Sequence, residues 1–330
     1  MKNLNVEDLK PGDILLSPPP ESLKKGWMGK IIVKITGSRV SHAAIYCGRL
    51  LNGKPAIVQA YVRGIEYLPL ENHFGEDKTP FCFIRRLDQA PTDMGAVLEA
   101  ANKYVEANTP LAKESFVLLG IILLSKRISE NRLRNPTFHN FVTMFCIKLA
   151  KVITRKRQER NNGENSMNCS QFALQCYEDA GNGYKIEFNE LLLAYKEKDF
   201  NKSLIDYIDK SKVDGTVSID VEAVEEPTQM DDELSPELLS SGEIEIVNEF
   251  IDFWDENVQE KLLDQVDDLC LRDNSTRLSV LLYELITGRK PEPGFDIESF
   301  LLSNRNYIAL PEDLLINTKN LTDSGTLLGV

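Results

Sequence analysis

Two short stretches decide the reading of this chain: Ser41-His42-Ala43-Ala44-Ile45-Tyr46 and Asn168-Cys169-Ser170-Gln171-Phe172. The first places a histidine at the start of an apolar run short enough for a buried strand. The second places a cysteine where polar loop residues give way to a helical pattern, Cys169 to Ala180, closed by Gly181. A thiol in the first turn of a helix meets unpaired backbone N–H groups and the positive end of the helix dipole, and both favour the thiolate. An imidazole on a rigid strand can take its proton. Cys169 and His42 together would thus be the minimum equipment for a cysteine nucleophile.

Around these stretches the first ninety residues read as short strands and turns. Ile14-Leu15-Leu16 leaves the Leu9-Lys10-Pro11-Gly12-Asp13 turn, and Ala43 to Cys47 follows the Thr36-Gly37-Ser38 turn. Asn52-Gly53 is a two-residue hairpin signal between that strand and Ile57 to Val62. Ile65 to Leu68 and Phe81 to Arg86 complete a curled, mainly antiparallel sheet. A short helix fits Gly26 to Ile35. From Pro91 the pattern turns helical: a helix capped by Thr92 or Asp93 with Val97, Leu98, Ala101, Tyr104 and Val105 on one face, then helices at Phe116 to Leu124 and Phe138 to Arg155. The basic run Lys151 to Arg160 reads as a solvated helix end or a dock for the chain's own acidic half.

Charge divides the chain. Residues 201–330 hold 10 basic and 29 acidic side chains, a net of −19, whereas residues 1–200 hold 28 and 22, a net of +6. The expected organisation is a first domain over 1–200, an acidic and partly disordered linker over 201–243, and a small helical accessory region over 244–330 that could take a protein partner. Within that last region Leu278 to Ile286 reads as one helix. The acidic half disfavours nucleic acid as a partner. The longest apolar run, Phe116 to Leu124, has nine residues, against about 20 for a bilayer span, so no transmembrane segment is expected. The polar start Met1-Lys2-Asn3-Leu4-Asn5 lacks a signal core. Six scattered cysteines without paired spacing read as free thiols. Both point to a cytoplasmic protein, with export by a dedicated secretion system left open.

Each candidate has a plainer alternative. Cys169 could be a small buried hydrophobe, as Cys176 is expected to be. His42 could be a hydrogen-bonded, partly buried histidine. Gln59, brought near His42 by the hairpin, could orient its ring or simply sit at the rim of the sheet; Glu66 and Asp13 are the fallback carboxylates. His73, beside Glu71 and Asn72, reads as an exposed loop residue, and His139 as a surface or capping one. Three dispersed histidines offer no metal template, and no phosphate-binding loop is visible, so neither metal nor cofactor is expected.

The order of the segments resembles a known group. Leu9-Lys10-Pro11-Gly12-Asp13-Ile14-Leu15, Ser41 to Tyr46, Ile57-Val58-Gln59-Ala60 with Gly64-Ile65, Ile84-Arg85-Arg86 and Asn168 to Phe172 are similar to the circularly permuted NlpC-type papain-like cysteine hydrolases. The YiiX/YaeF-like amidase group is the nearest variant, and the lecithin:retinol acyltransferase-like proteins are more distant. The resemblance spans roughly residues 8–190. It implies an α+β fold, a permuted papain-like curled antiparallel sheet with packed helices. It also implies Cys169 as nucleophile and His42 as base, with Gln59 at a position where these relatives often carry Glu. The implied substrates are peptide-like amides, amino-acid amides or lipid acyl groups. The implied chemistry is hydrolysis through a thioester, with two alternatives: a binding or adaptor protein on an inactive frame, and an acyltransferase using the same pair.

Overall fold

The computed structural model describes residues 2–20, 38–51, 53–61, 63–74, 78–89, 91, 93–112, 167–189, 191 and 303–329, with isolated positions at 33 and between 276 and 300. The expected elements at Gly26 to Ile35, Phe116 to Leu124, Phe138 to Arg155 and 201–243, and His139 itself, lie outside that description, single positions aside. The chain divides into two compact units. The first gathers Met1–Gly120, Glu164–Tyr195 and Asn304–Val330; the second gathers Ile121–Gly163 and Lys196–Ser303.

The first unit is built on one seven-stranded mixed sheet with helices, an α+β arrangement. Its strands are β1 (Asn3–Leu4), β2 (Ile14–Ser17), β3 (His42–Leu51), β4 (Lys54–Tyr61), β5 (Gly64–Pro69), β6 (Phe81–Leu87) and β7 (Leu321–Leu328), in the spatial order β1-β7-β6-β2-β3-β4-β5. All neighbours are antiparallel except β1 and β7, which run parallel. Among the described residues four helices accompany them: α1 (Gly95–Glu106), α2 (Cys169–Asp179), α3 (Arg305–Ile308) and α4 (Pro311–Ile316).

The strands form where the sequence pattern places them. Ile14 to Ser17 is buried throughout, as a strand with neighbours on both edges and side chains packed on both faces should be. The hairpin closes at Leu51↔Lys54, with Gly53 at φ +78°, the left-handed conformation such a turn demands. One hydrophobic cluster joins Leu4, Leu9, Leu15, Ala44, Ile57, Ile84 and Leu327. Elsewhere in the core, Tyr104 of α1 meets Phe172 of α2 edge to face at 6.1 Å.

The last strand corrects the expected domain plan. Residues 304–330 belong to the first unit, not to a separate helical region over 244–330. Leu321 to Leu328 fills the gap between β1 and β6, pairing from Phe81↔Leu328 to Leu87↔Leu321. The physical reason is burial. Leu321 and Leu327 are buried on the sheet, at 4% and 1% exposure. The sheet is therefore one strand larger than residues 1–200 can provide, and its far edge is parallel. In the second unit the described positions Thr276, Ser279, Val280, Tyr283 and Thr287 are helical, in keeping with a helix over Leu278 to Ile286. Among the described residues no helix is long and apolar enough to cross a membrane.

Candidate functional site

Helix α2 starts at Cys169 because Asn168 caps it. Asn168 Oδ1 accepts the Gln171 backbone N–H at 2.7 Å, and Gln171 Oε1 accepts the Asn168 N–H at 3.4 Å. This reciprocal box satisfies two amides that a helix start leaves open. The helix ends as expected, with Gly181 at φ +102°. Cys169 is thereby fixed in the first turn, where it is only 1% exposed.

The sulfur of Cys169 faces three backbone N–H groups: its own, that of Ser170, and that of Ala43 on β3. Register explains the third. The pairing of β3 with β4 runs from Leu51↔Lys54 to Ala44↔Gln59. Ala43 lies just beyond that run, and its backbone amide acts on the sulfur. Cys169 thus adjoins the residue that follows His42. Burial pushes its thiol up to about 12, and the three amides oppose that shift. The resting thiol is protonated at neutral pH.

His42 opens β3 and is partly exposed. Its Nε2–H donates to Gln59 Oε1 at 2.8 Å. The two side chains meet across the hairpin diagonally, since Gln59 stands opposite Ala44. With Nε2 carrying the hydrogen, a neutral imidazole has its lone pair on Nδ1. Burial lowers the His42 pKa from its ordinary value, and the Gln59 hydrogen bond works against that shift. Tyr61 stands edge-on to the His42 ring, with centroids 5.9 Å apart.

The fallback carboxylates are placed differently. Asp13 is fully buried and engages Arg86 twice, Nε and Nη2 each at 2.6 Å, while also accepting the Lys10 N–H. It braces the turn before β2 and is spoken for. Glu66 lies opposite Gln59 on β5, one strand further from His42. Cys176 is buried within α2, with its thiol held up by burial. Cys47, Cys82, Cys169 and Cys176 are all free thiols. Among the described residues, no group of three or more His, Cys, Asp or Glu could hold a metal ion.

His73 is a correction. It is 8% exposed, not a solvated loop residue, because the 3-10 turn Leu70–His73 folds it back toward the sheet. Its Nε2 hydrogen-bonds with Ser17 Oγ at 2.8 Å, and Ser17 Oγ lies 3.2 Å from Cys82 Sγ. The His73 ring centroid is 6.0 Å from that of His42. Nothing in the polar run Glu71-Asn72-His73 signals this; only the register that sets Ser17 opposite His42 brings the group together.

Burial, and secondarily the positive charges of His42 and Lys78, lower the His73 pKa to about 3. An unfolded chain takes up this proton near pH 6.5, whereas the folded chain resists it down to about 3. The neutral ring's contribution is therefore complete above pH 6.5 and is lost as the pH falls toward 3. One pKa unit corresponds to about 1.4 kcal/mol, so His73 alone should cost on the order of 3 kcal/mol between pH 7 and pH 4. Urea unfolding at the two pH values measures it. His73→Gln should flatten the difference by that amount, and identical pH dependence in both proteins would rule the effect out.

The segment 304–316 braces the start of α2. The Ser170 hydroxyl lies 2.7 Å from the Ala309 carbonyl and 3.0 Å from Asn168 Oδ1. Glu312, buried at the start of α4, accepts the Arg39 N–H at 2.8 Å, three residues before His42. The start of α2 and the segment before His42 are thus both tied to the C-terminal segment. Sequence reading missed this because Ser170 and Ala309 are 139 residues apart. In comparisons with known proteins, no family model, no curated protein and no solved structure matches this chain.

Proposed function

We propose that the first unit is a cysteine hydrolase of permuted papain-like, NlpC type, acting on an amide or ester. Cys169 attacks the acyl carbon. His42 Nδ1 takes the thiol proton and returns it to the leaving group, and water then releases the thioester. Gln59 holds the imidazole in the tautomer that leaves Nδ1 free, the role of the orienting group in a triad. One observation carries the reading: the His42 Nε2–Gln59 Oε1 hydrogen bond at 2.8 Å, formed next to the Ala43 amide that faces the Cys169 sulfur.

The test is a Gln59 series assayed on p-nitrophenyl acetate and on an aminoacyl p-nitroanilide, which separates ester from amide cleavage. Gln59→Ala should lower kcat/KM by about 10- to 100-fold, the range seen when an orienting partner is removed. Gln59→Glu should retain turnover and raise the His42 pKa, because a carboxylate stabilises the imidazolium. Since the base must be neutral, the acid limb of the pH–rate profile then moves to higher pH. A Gln59→Ala protein with unchanged rate and profile would contradict the assignment.

A second reading has its own support. Cys169 is almost fully covered and its thiol is pushed up to about 12. That suits a binding or adaptor protein that keeps the frame and has lost the chemistry. Absence of chromophore release from the wild-type protein on both substrates would favour it.

A further inference from the structure

The carboxamide of Asn168 is completely buried, and only one of its two arms is satisfied. Oδ1 must be the arm that meets the Gln171 N–H, since a backbone amide can pair only with an acceptor. The other arm is then the NH2 group, and Nδ2 has no hydrogen-bond partner among the described residues. A buried donor left unpaired costs about 1–3 kcal/mol, so its presence in a folded protein calls for an explanation. Capping does not require it, because Ser, Thr and Asp cap a helix as well as Asn does. The free donor belongs to the residue immediately before Cys169.

We propose that Asn168 Nδ2 is an oxyanion donor for acyl transfer to Cys169, a catalytic residue that binds the carbonyl oxygen of the substrate. The proposal rests on the reading of Cys169 as nucleophile, and it narrows the substrate to a carboxylic acid derivative with a planar carbonyl: an ester, thioester or amide. As the Cys169 sulfur bonds to the carbonyl carbon, the thiol proton passes to His42. The π electrons move onto oxygen, and the new oxyanion accepts a hydrogen bond from Nδ2–H. When the carbon–oxygen double bond re-forms, the leaving group departs with the bonding pair and takes the proton from His42. The thioester remains on Cys169. The orphaned donor is thus matched only during the reaction, the condition under which binding accelerates chemistry.

Two reactions at the same sulfur separate this role from capping. Acylation of Cys169 by p-nitrophenyl acetate passes through an oxyanion. Alkylation by iodoacetamide is a direct displacement at carbon and does not. Asn168→Ser keeps a cap acceptor and removes the NH2 group. Acylation should fall about 10²- to 10³-fold, the usual cost of one oxyanion donor, while alkylation changes by less than about threefold. Should Asn168→Ser not fold, Asn168→Asp retains the strongest cap, and the ratio of the two rates should fall in the same way. A parallel fall in both rates, or no fall in acylation, would overturn the donor assignment and leave Asn168 as a cap. A wild-type protein alkylated at Cys169 but never acylated there would overturn the nucleophile reading itself, and this proposal with it.

Discussion

Truncation of the chain after residue 303 is expected to leave the first unit without cooperative folding. Strand β7 is flanked on both sides, by β1 and by β6, so its loss strips hydrogen bonds from two neighbours. It also removes the buried side chains of Leu321 and Leu327, while Leu310, Leu314 and Leu315 go with the preceding segment. Each buried leucine contributes roughly 1.5–3 kcal/mol, and each ladder hydrogen bond about 1 kcal/mol. The sum reaches or exceeds the roughly 5–15 kcal/mol by which a domain is stable. Near-ultraviolet circular dichroism and limited proteolysis of the full chain and the truncated chain read the outcome. A milder variant gives a graded answer: Leu327→Ala should cost about 2–5 kcal/mol. Gly325→Val tests the same edge, because a side chain at φ +132° there would run into the Lys2 carbonyl. A truncated protein that melts cooperatively near the full-length temperature would show that the segment is an accessory after all.

The second large effect concerns chemistry, with little change in stability. Cys169→Ala should remove acyl transfer, at least about 10³-fold, as loss of a covalent nucleophile does. The cap residues Asn168 and Gln171 are untouched, and the space left by one sulfur atom is small. The stability loss should be near 1 kcal/mol, or about 2–4 °C in thermal midpoint. The split between the two readouts is what matters. A large fall in both would mark Cys169 as a packing residue, as Cys176 is.

The structure lets one judge how far the residues announced themselves. The strands near Ile14, Ala43, Ile57, Ile65 and Phe81 were legible because each is a short apolar run bounded by turn residues, a local property. The start of α2 was legible for the same reason, since Asn168 and Gln171 form a local cap. The His42–Gln59 contact followed only in part from the hairpin: its turn pairs the two strands, but two bulges in β3, between Tyr46 and Gly48 and between Arg49 and Leu51, shift the register and set Gln59 opposite Ala44. What could not be read was non-local. Strand β7 pairs with residues more than two hundred positions earlier, and its sequence, broken by Asp323-Ser324-Gly325, carries weak strand propensity. Burial of His73 depends on the same kind of distant pairing, through Ser17. The unpaired arm of Asn168 is a matter of side-chain orientation, beyond what residue type can indicate.

The most direct test of the Cys169–His42 pair is to trap the acyl group. The wild-type protein and His42→Ala are mixed with excess p-nitrophenyl acetate, quenched in acid within one turnover and mapped by peptide mass. The account predicts a single acetyl group on Cys169, removed by hydroxylamine as a thioester is, and formed at least about 10²-fold more slowly without the imidazole base. Acetylation spread over Cys47, Cys82 and Cys176, or acetylation of Cys169 at the same rate without His42, would contradict it.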